Sequence, residues 1–190
     1  TSVIVLGINN MHDASAAIVI DGKVIAAAEE ERFTRIKHQI GFPANAVRYC
    51  LEEAGVTVSD VDAVGVSWKP WVLGTRLYNA FKTFLFSTSA FKAKAKRGIG
   101  QMGNEWRELF TFRRLIESHF GKGRFKFHYI DHHLSHAVSA YYVSPYKRSA
   151  ILTLDGAGEA NTSVFWNGEG NNIIQLKSIK LPHSIGQFYA

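Results

Sequence analysis

Three histidines fall within five positions in the stretch YIDHHLSHA, residues 129–137. His132 and His136 are four apart, so on a helix they share one face with about 6 Å of axial rise between them, close enough to hold one metal ion. The spacing is that of H-x-x-x-H zinc helices, but the general-base Glu of that motif is absent: His133, Leu134 and Ser135 stand between. The alternative is a helix start capped by Asp131, with its imidazoles facing solvent or packed in a core. His133, rotated by about 100° from His132 on such a helix, is expected to leave the shared face.

A carboxylate in LTLDGAGE (152–159) makes the metal reading more specific. An apolar strand ending in Asp155 presents a carboxylate at its tip, where α/β folds place their chemistry. Gly156 and Gly158 lack side-chain bulk, so the backbone N–H groups there, with Glu159, form a candidate cradle for a phosphate. An ordinary hairpin turn explains the Asp-Gly pair equally well. If Asp155 lies on the strand beside the helix, its carboxylate is expected to approach both His132 and His136.

Two further polar stretches belong with these. NNMHDASAA (9–17) carries His12 and Asp13 in a turn between two strands, where polar residues are common without further role. EEERFTRIKHQIGFP (29–43) carries Lys37, whose compact charge suits a developing negative charge, although a solvated strand end and loop account for the acidic and basic residues.

The elements that must position these residues are read from periodicity. Residues 2–8, 14–22 and 23–33 form three strands in quick succession, with Asp21-Gly22 as a tight hairpin turn. Residues 42–56 form a helix, started near Pro43 and stopped at Gly55, with Ala46, Val47, Cys50, Leu51 and Ala54 at helical spacing. A strand at 60–68 follows, then two helices between Trp71 and Phe120 separated by RGIGQMG. A strand at 125–131, a helix at 132–145, a strand at 149–159 and a hairpin of 161–168 with 171–180 complete the order. The two halves repeat three strands without repeating sequence, so a duplicated α/β fold is expected: a first subdomain at 1–148 and the start of a second at 149–190. The second set ends without a covering helix and residue 1 is Thr, so the chain reads as a fragment of a longer protein.

Composition bounds the function. Apolar residues make up 46% and charged residues 20% of the 190, as in a globular protein. A lone cysteine, Cys50, forms no internal disulfide, and no signal peptide or membrane-length apolar run is present, so a cytoplasmic protein is expected without a membrane partner. The net charge of +6 is uneven: residues 69–126 hold thirteen of the 22 Lys and Arg, against three acidic residues.

Four stretches in order, GINNMHDASAA, EEERFTRIKH with its following FP, DHHLSHA and LTLDGAGE, closed by PHSIGQFY, resemble the amino-terminal part of the O-carbamoyltransferases related to the nodulation and antibiotic-tailoring carbamoyltransferases. The resemblance covers both ends and the middle of the chain and leaves the basic block unassigned. It implies a duplicated fold of the actin, sugar-kinase and heat-shock-ATPase (ribonuclease H-like) type, followed by a C-terminal domain that makes carbamoyl-adenylate from carbamoyl phosphate and ATP. The domain sampled here would pass the carbamoyl group to a hydroxyl of a sugar or antibiotic-like acceptor. His132, His136 and Asp155 match ligands of a divalent metal, iron or another; His12 and Lys37 match polar residues of the transfer site. A further Asp ligand would lie beyond residue 190, and the fragment alone is expected to be inactive.

Two other functions are weighed against this one. An ATPase or phosphotransferase of the same fold would hold magnesium on Asp13 and Asp155, but leaves the paired imidazoles without a role. A nucleic-acid-binding module would use the basic block with Tyr78, Phe81, Phe84, Phe86, Phe91 and Trp106 for phosphate contacts and stacking. No RNA-binding signature accompanies that charge, and two amphipathic helices with aromatics in the core explain it equally well, so a nucleic-acid partner is not expected.

Overall fold

The computed structural model describes residues 2–72, 74, 103–181 and 183–189. The chain divides into two compact units: Thr1–Trp68 with Gly98–Tyr129, and Lys69–Arg97 with Ile130–Ala190.

The first unit opens with β1 (Ile4–Asn9), β2 (Ser15–Ile20) and β3 (Lys23–Glu29), an antiparallel meander. Asp21 and Gly22 both adopt positive φ, 50° and 79°, as the expected tight turn requires. Asp21 Oδ1 also accepts the Val3 N–H at 2.8 Å, tying the turn to β1. β4 (Ala63–Val66) and β5 (Lys126–Tyr129) add in parallel, giving a mixed sheet of order β3-β2-β1-β4-β5. Alternate residues Leu6, Ile8, Ala16, Ile18, Val64 and Val66 are buried on it, as period-two side-chain alternation dictates.

The third strand stops at Glu29, short of the expected Phe33, and a single helical turn, α1 (Glu31–Thr34), follows. Glu30 explains the stop. It is 2% exposed, and its carboxylate accepts the backbone N–H of Asn45 (3.2 Å) and Ala46 (2.8 Å) and the Asn45 side-chain amide (2.7 Å). Those N–H groups open α2 (Ala44–Ala54) and have no partner within the helix, so an anion is favoured there. α2 buries Ala46, Val47, Cys50 and Leu51 against β2 and β3 and ends at Gly55, whose φ of 64° is left-handed.

The expected strand at 60–68 contracts to β4 because Thr57 and Asp60 first close a capping box around a 3-10 turn at Val58–Asp60. Of the two helices expected between 71 and 120, α3 (Gly103–Phe120) is described. Tyr78, Phe81, Phe84, Phe86 and Phe91 lie outside the described residues, as does the Trp106 side chain. α3 buries Leu109, Phe112 and Ile116, and Phe112 meets Phe42 and Phe127 edge-on or tilted.

The second unit carries α4 (His132–Tyr141), β6 (Arg148–Gly158), β7 (Asn161–Glu169), β8 (Asn172–Lys180) and α5 (Ile185–Tyr189). The three strands form an antiparallel sheet in sequence order. α4 lays Leu134 and Ala137 on Val164, Trp166, Ile151 and Ile173. It ends at Tyr141, short of the expected stop before Pro145, which disfavours helical geometry at Ser144. α4 packs on β6 and β7, within the unit that holds Ile130–Ala190. α5, packed on β6, is an element that the sequence reading did not include.

No helix among the described residues is long and apolar enough to cross a membrane.

Candidate metal centre

α4 begins where it does because Asp131 caps it. Its backbone is extended, and its Oδ1 accepts the Leu134 N–H at 3.1 Å. The cap makes His132 the first helical residue and returns His136 to the same side one turn later. Their rings meet edge-on with centroids 4.6 Å apart, and the two Nε2 atoms are 3.1 Å apart.

β6 supplies the third donor. Asp155 Oδ2 lies 2.6 Å from His132 Nε2 and 3.9 Å from His136 Nε2. A triangle with these three sides has a circumscribed radius of about 2.0 Å, so one ion at the ~2.0–2.2 Å usual for His and Asp ligands reaches all three donors. The donor set therefore fits a divalent ion both in geometry and in kind, two imidazole nitrogens and one carboxylate oxygen suiting a borderline metal. His132 is the least exposed of the three, with 14% of its side chain accessible against 31% for Asp155 and 53% for His136.

His133 turns away into the unit and is 1% exposed. Its Nε2 faces the Asn161 carbonyl oxygen at 3.1 Å, and its Nδ1 faces Thr153 Oγ1 at 2.9 Å. A carbonyl only accepts, so Nε2 carries the proton and Nδ1 accepts from the threonine hydroxyl. Burial pushes the His133 pKa down, which keeps this neutral tautomer.

The glycines do something other than cradle a phosphate by a turn. Residues 155–158 belong to β6, which shifts register against β7 between Leu154 and Gly158, and the reversal falls at Glu159, with φ of 53°. A Cβ on Gly158 would collide with His132 Cδ2 and come within 2.8 Å of His133 Nε2, so the missing side chain makes room for imidazoles. Gly186 makes room for backbone instead: a Cβ there would lie 2.5 Å from the Asp155 carbonyl. Ser184 Oγ, which accepts the Gln187 N–H at 3.0 Å, donates to the Gly156 carbonyl at 2.9 Å. The PHSIGQFY stretch thus holds the segment that carries Asp155.

Glu159 is 6% exposed, and its Oε1 accepts the Lys69 N–H at 2.9 Å. Burial pushes its carboxyl up to about 7; the Lys69 N–H opposes the rise and the Asp131 charge adds to it. Asp131 shifts the other way. Burial disfavours its ionised form, but the Lys69 ammonium, 3.0 Å from Oδ2, and the Leu134 N–H outweigh that and hold its carboxyl below the ordinary value.

His12 and Lys37 lie in the first unit and are both exposed. The His12 carbonyl is held by the Asn9 side-chain amide at 2.9 Å. The partner that the Lys37 loop gives to the other turn is the neighbouring His38, whose Nδ1 lies 2.9 Å from Asp13 Oδ1; that hydrogen bond and the Asp13 charge raise the His38 pKa. Both Asp13 and His38 have left-handed backbones, φ 57° and 53°.

An α/β protein with a mixed sheet and a His-His-Asp centre on a separate antiparallel sheet is the class defined by these observations. The chain belongs to the carbamoyltransferase N-terminus family, whose model matches residues 4–190. It is 36% identical, over 98% of its length, to an uncharacterized protein of Synechocystis sp., and 34% identical, over 94%, to Nodulation protein NolNO of Sinorhizobium fredii. It spans 31% and 24% of the lengths of those two proteins. Among solved structures, YeaZ from Pseudomonas aeruginosa aligns with a TM-score of 0.47 at 14% identity, covering 95% of this chain and 68% of that one.

Proposed function

We propose that the chain is the carbamoyl-transferring part of an O-carbamoyltransferase that uses a divalent metal held by His132, His136 and Asp155. The observation that carries this reading is the convergence of the three donor atoms within one ion's reach, in a chain of the carbamoyltransferase N-terminus family. When bound, the metal supplies positive charge that anchors and neutralises a nucleotide phosphate.

The reaction is attack by an acceptor hydroxyl oxygen on the carbamoyl carbon of carbamoyl-adenylate. The carbon–oxygen bond to the phosphate breaks, AMP leaves, and the hydroxyl proton passes to a base. His12 is proposed as the base and Lys37 as a source of positive charge in this step. His132 and His136 offer ring nitrogens to the metal, and buried His133 holds the start of α4 against β6 and β7. The adenylate comes from carbamoyl phosphate and ATP in a C-terminal domain, and the acceptor is a sugar or antibiotic-like molecule. Gly156, Gly158 and Glu159, at the end of β6, are the residues proposed to lie at the adenylate.

The duplicated actin-like fold belongs to this proposal as well. Its support is that each unit contains a sequential three-strand antiparallel meander, β1-β2-β3 and β6-β7-β8. A magnesium ATPase fits less well, because magnesium prefers oxygen ligands and two of the three donors are imidazole nitrogens.

The test is transfer of labelled carbamoyl from carbamoyl phosphate and ATP to amino-sugar acceptors. The chain alone should give no product. Joined to an adenylate-forming domain it should, and His132→Ala should abolish transfer. Transfer undiminished by His132→Ala and His136→Ala would refute the reading.

A further inference from the structure

Lys69 makes two connections beside the metal centre. Its ammonium holds Asp131 at 3.0 Å, one residue before His132, and its backbone N–H holds Glu159 at 2.9 Å, four residues after Asp155. Asp131 is at the same time the cap of α4. One residue therefore fastens the start of the helix that carries both histidines to the end of the strand that carries the aspartate. Both ends are sheltered: the Lys69 and Asp131 side chains are 28% and 27% exposed, and Glu159 is 6% exposed. A partly buried charge-assisted hydrogen bond is stronger and more directional than an exposed one.

We propose that Lys69 is a positioning residue for the His132–His136–Asp155 site, setting the approach of α4 to β6 and so the separation of the donor atoms. The proposal deepens the metal reading and rests on it for its function, but the geometry it asserts exists without metal. The ammonium fixes Asp131, Asp131 fixes the first turn of α4, and that turn aims His132 Nε2 at Asp155. Outer contacts of this kind typically change metal affinity 10–100-fold when removed.

The experiment compares the wild-type chain with Lys69→Met, which keeps the stem and the backbone N–H, and with Lys69→Arg, which keeps the cation. Two readouts are taken. In the metal-free chain, the imidazole N–H of His132 bonded to Asp155 gives a slowly exchanging proton–nitrogen signal; the N–H of His133 bonded to Asn161 is the internal control for folding. With Co2+ as probe, affinity and the visible spectrum report the ligand geometry. Lys69→Met should lose the His132 signal, keep the His133 signal and bind Co2+ at least tenfold more weakly, and Lys69→Arg should restore most of both. Wild-type behaviour of Lys69→Met in both readouts overturns the proposal. Loss of the His133 signal along with that of His132 overturns it too, since Lys69 would then support the unit as a whole. If the wild type binds no Co2+, the metal reading fails by itself, and the metal-free signals alone decide the role of Lys69.

Discussion

His132 Nε2 lies 2.6 Å from Asp155 Oδ2, although one residue opens a helix and the other sits near the end of a strand 23 positions later. The contact depends on a glycine. Gly158 is close enough to both imidazoles that any side chain there would occupy their space.

Gly158→Ala should therefore disturb the site more than its size suggests. Its Cβ would stand 2.8 Å from His133 Nε2 and 2.9 Å from Cδ2, while touching His132 as well. Overpacking of this kind costs about 1–3 kcal/mol. Urea unfolding should register that loss, and metal affinity should fall with it. Wild-type stability together with wild-type affinity would mean that the strand end yields freely.

His133→Ala separates structure from ligation. It opens a cavity and leaves the Asn161 carbonyl without its imidazole N–H partner, for a loss of about 2–4 kcal/mol. The remaining folded protein, studied at low temperature, should still bind one metal ion. Complete loss of binding in a folded variant would assign His133 to the ligand set.

How much of this was legible from sequence follows from the range of the interactions. The Asp21-Gly22 turn, the helix stop at Gly55 and the His132–His136 face are set by neighbours a few positions apart, and periodicity and turn chemistry revealed them. The role of Glu30 could not be read from the acidic run, because its partners at Asn45 and Ala46 lie across a loop. Lys69 carried no signal at all: it meets Asp131 and Glu159 from 62 and 90 positions away. Lack of bulk at Gly156 and Gly158 is legible in the sequence, but the structure fills the space at Gly158 with histidine rings. His38, beside Lys37, pairs with Asp13 across 25 positions and so joins two of the polar stretches, a contact that spacing along the chain does not announce.

Glu159 makes stability depend on pH with a definite sign. Its folded pKa of about 7 is above the ordinary 4.5, so between those values the folded state holds more protons than the unfolded one. Its contribution is therefore full at or below about pH 4.5 and declines as pH rises through about 7. Glu159→Gln keeps an oxygen for the Lys69 N–H and removes this decline. The difference between variant and wild type, measured by urea unfolding at pH 5 and pH 8, should shift in favour of the variant by about 1–3 kcal/mol at the higher pH. Parallel pH profiles would contradict the assignment.

The most direct measurement is an anomalous difference map from crystals of the chain soaked in a cobalt or zinc salt. The account predicts one dominant peak, about 2.0–2.2 Å from His132 Nε2, His136 Nε2 and Asp155 Oδ2 together, and its absence in His136→Ala. An ion that bypasses these three atoms, or one that binds equally well in His136→Ala, would contradict the metal centre and remove the observation on which the transferase reading rests.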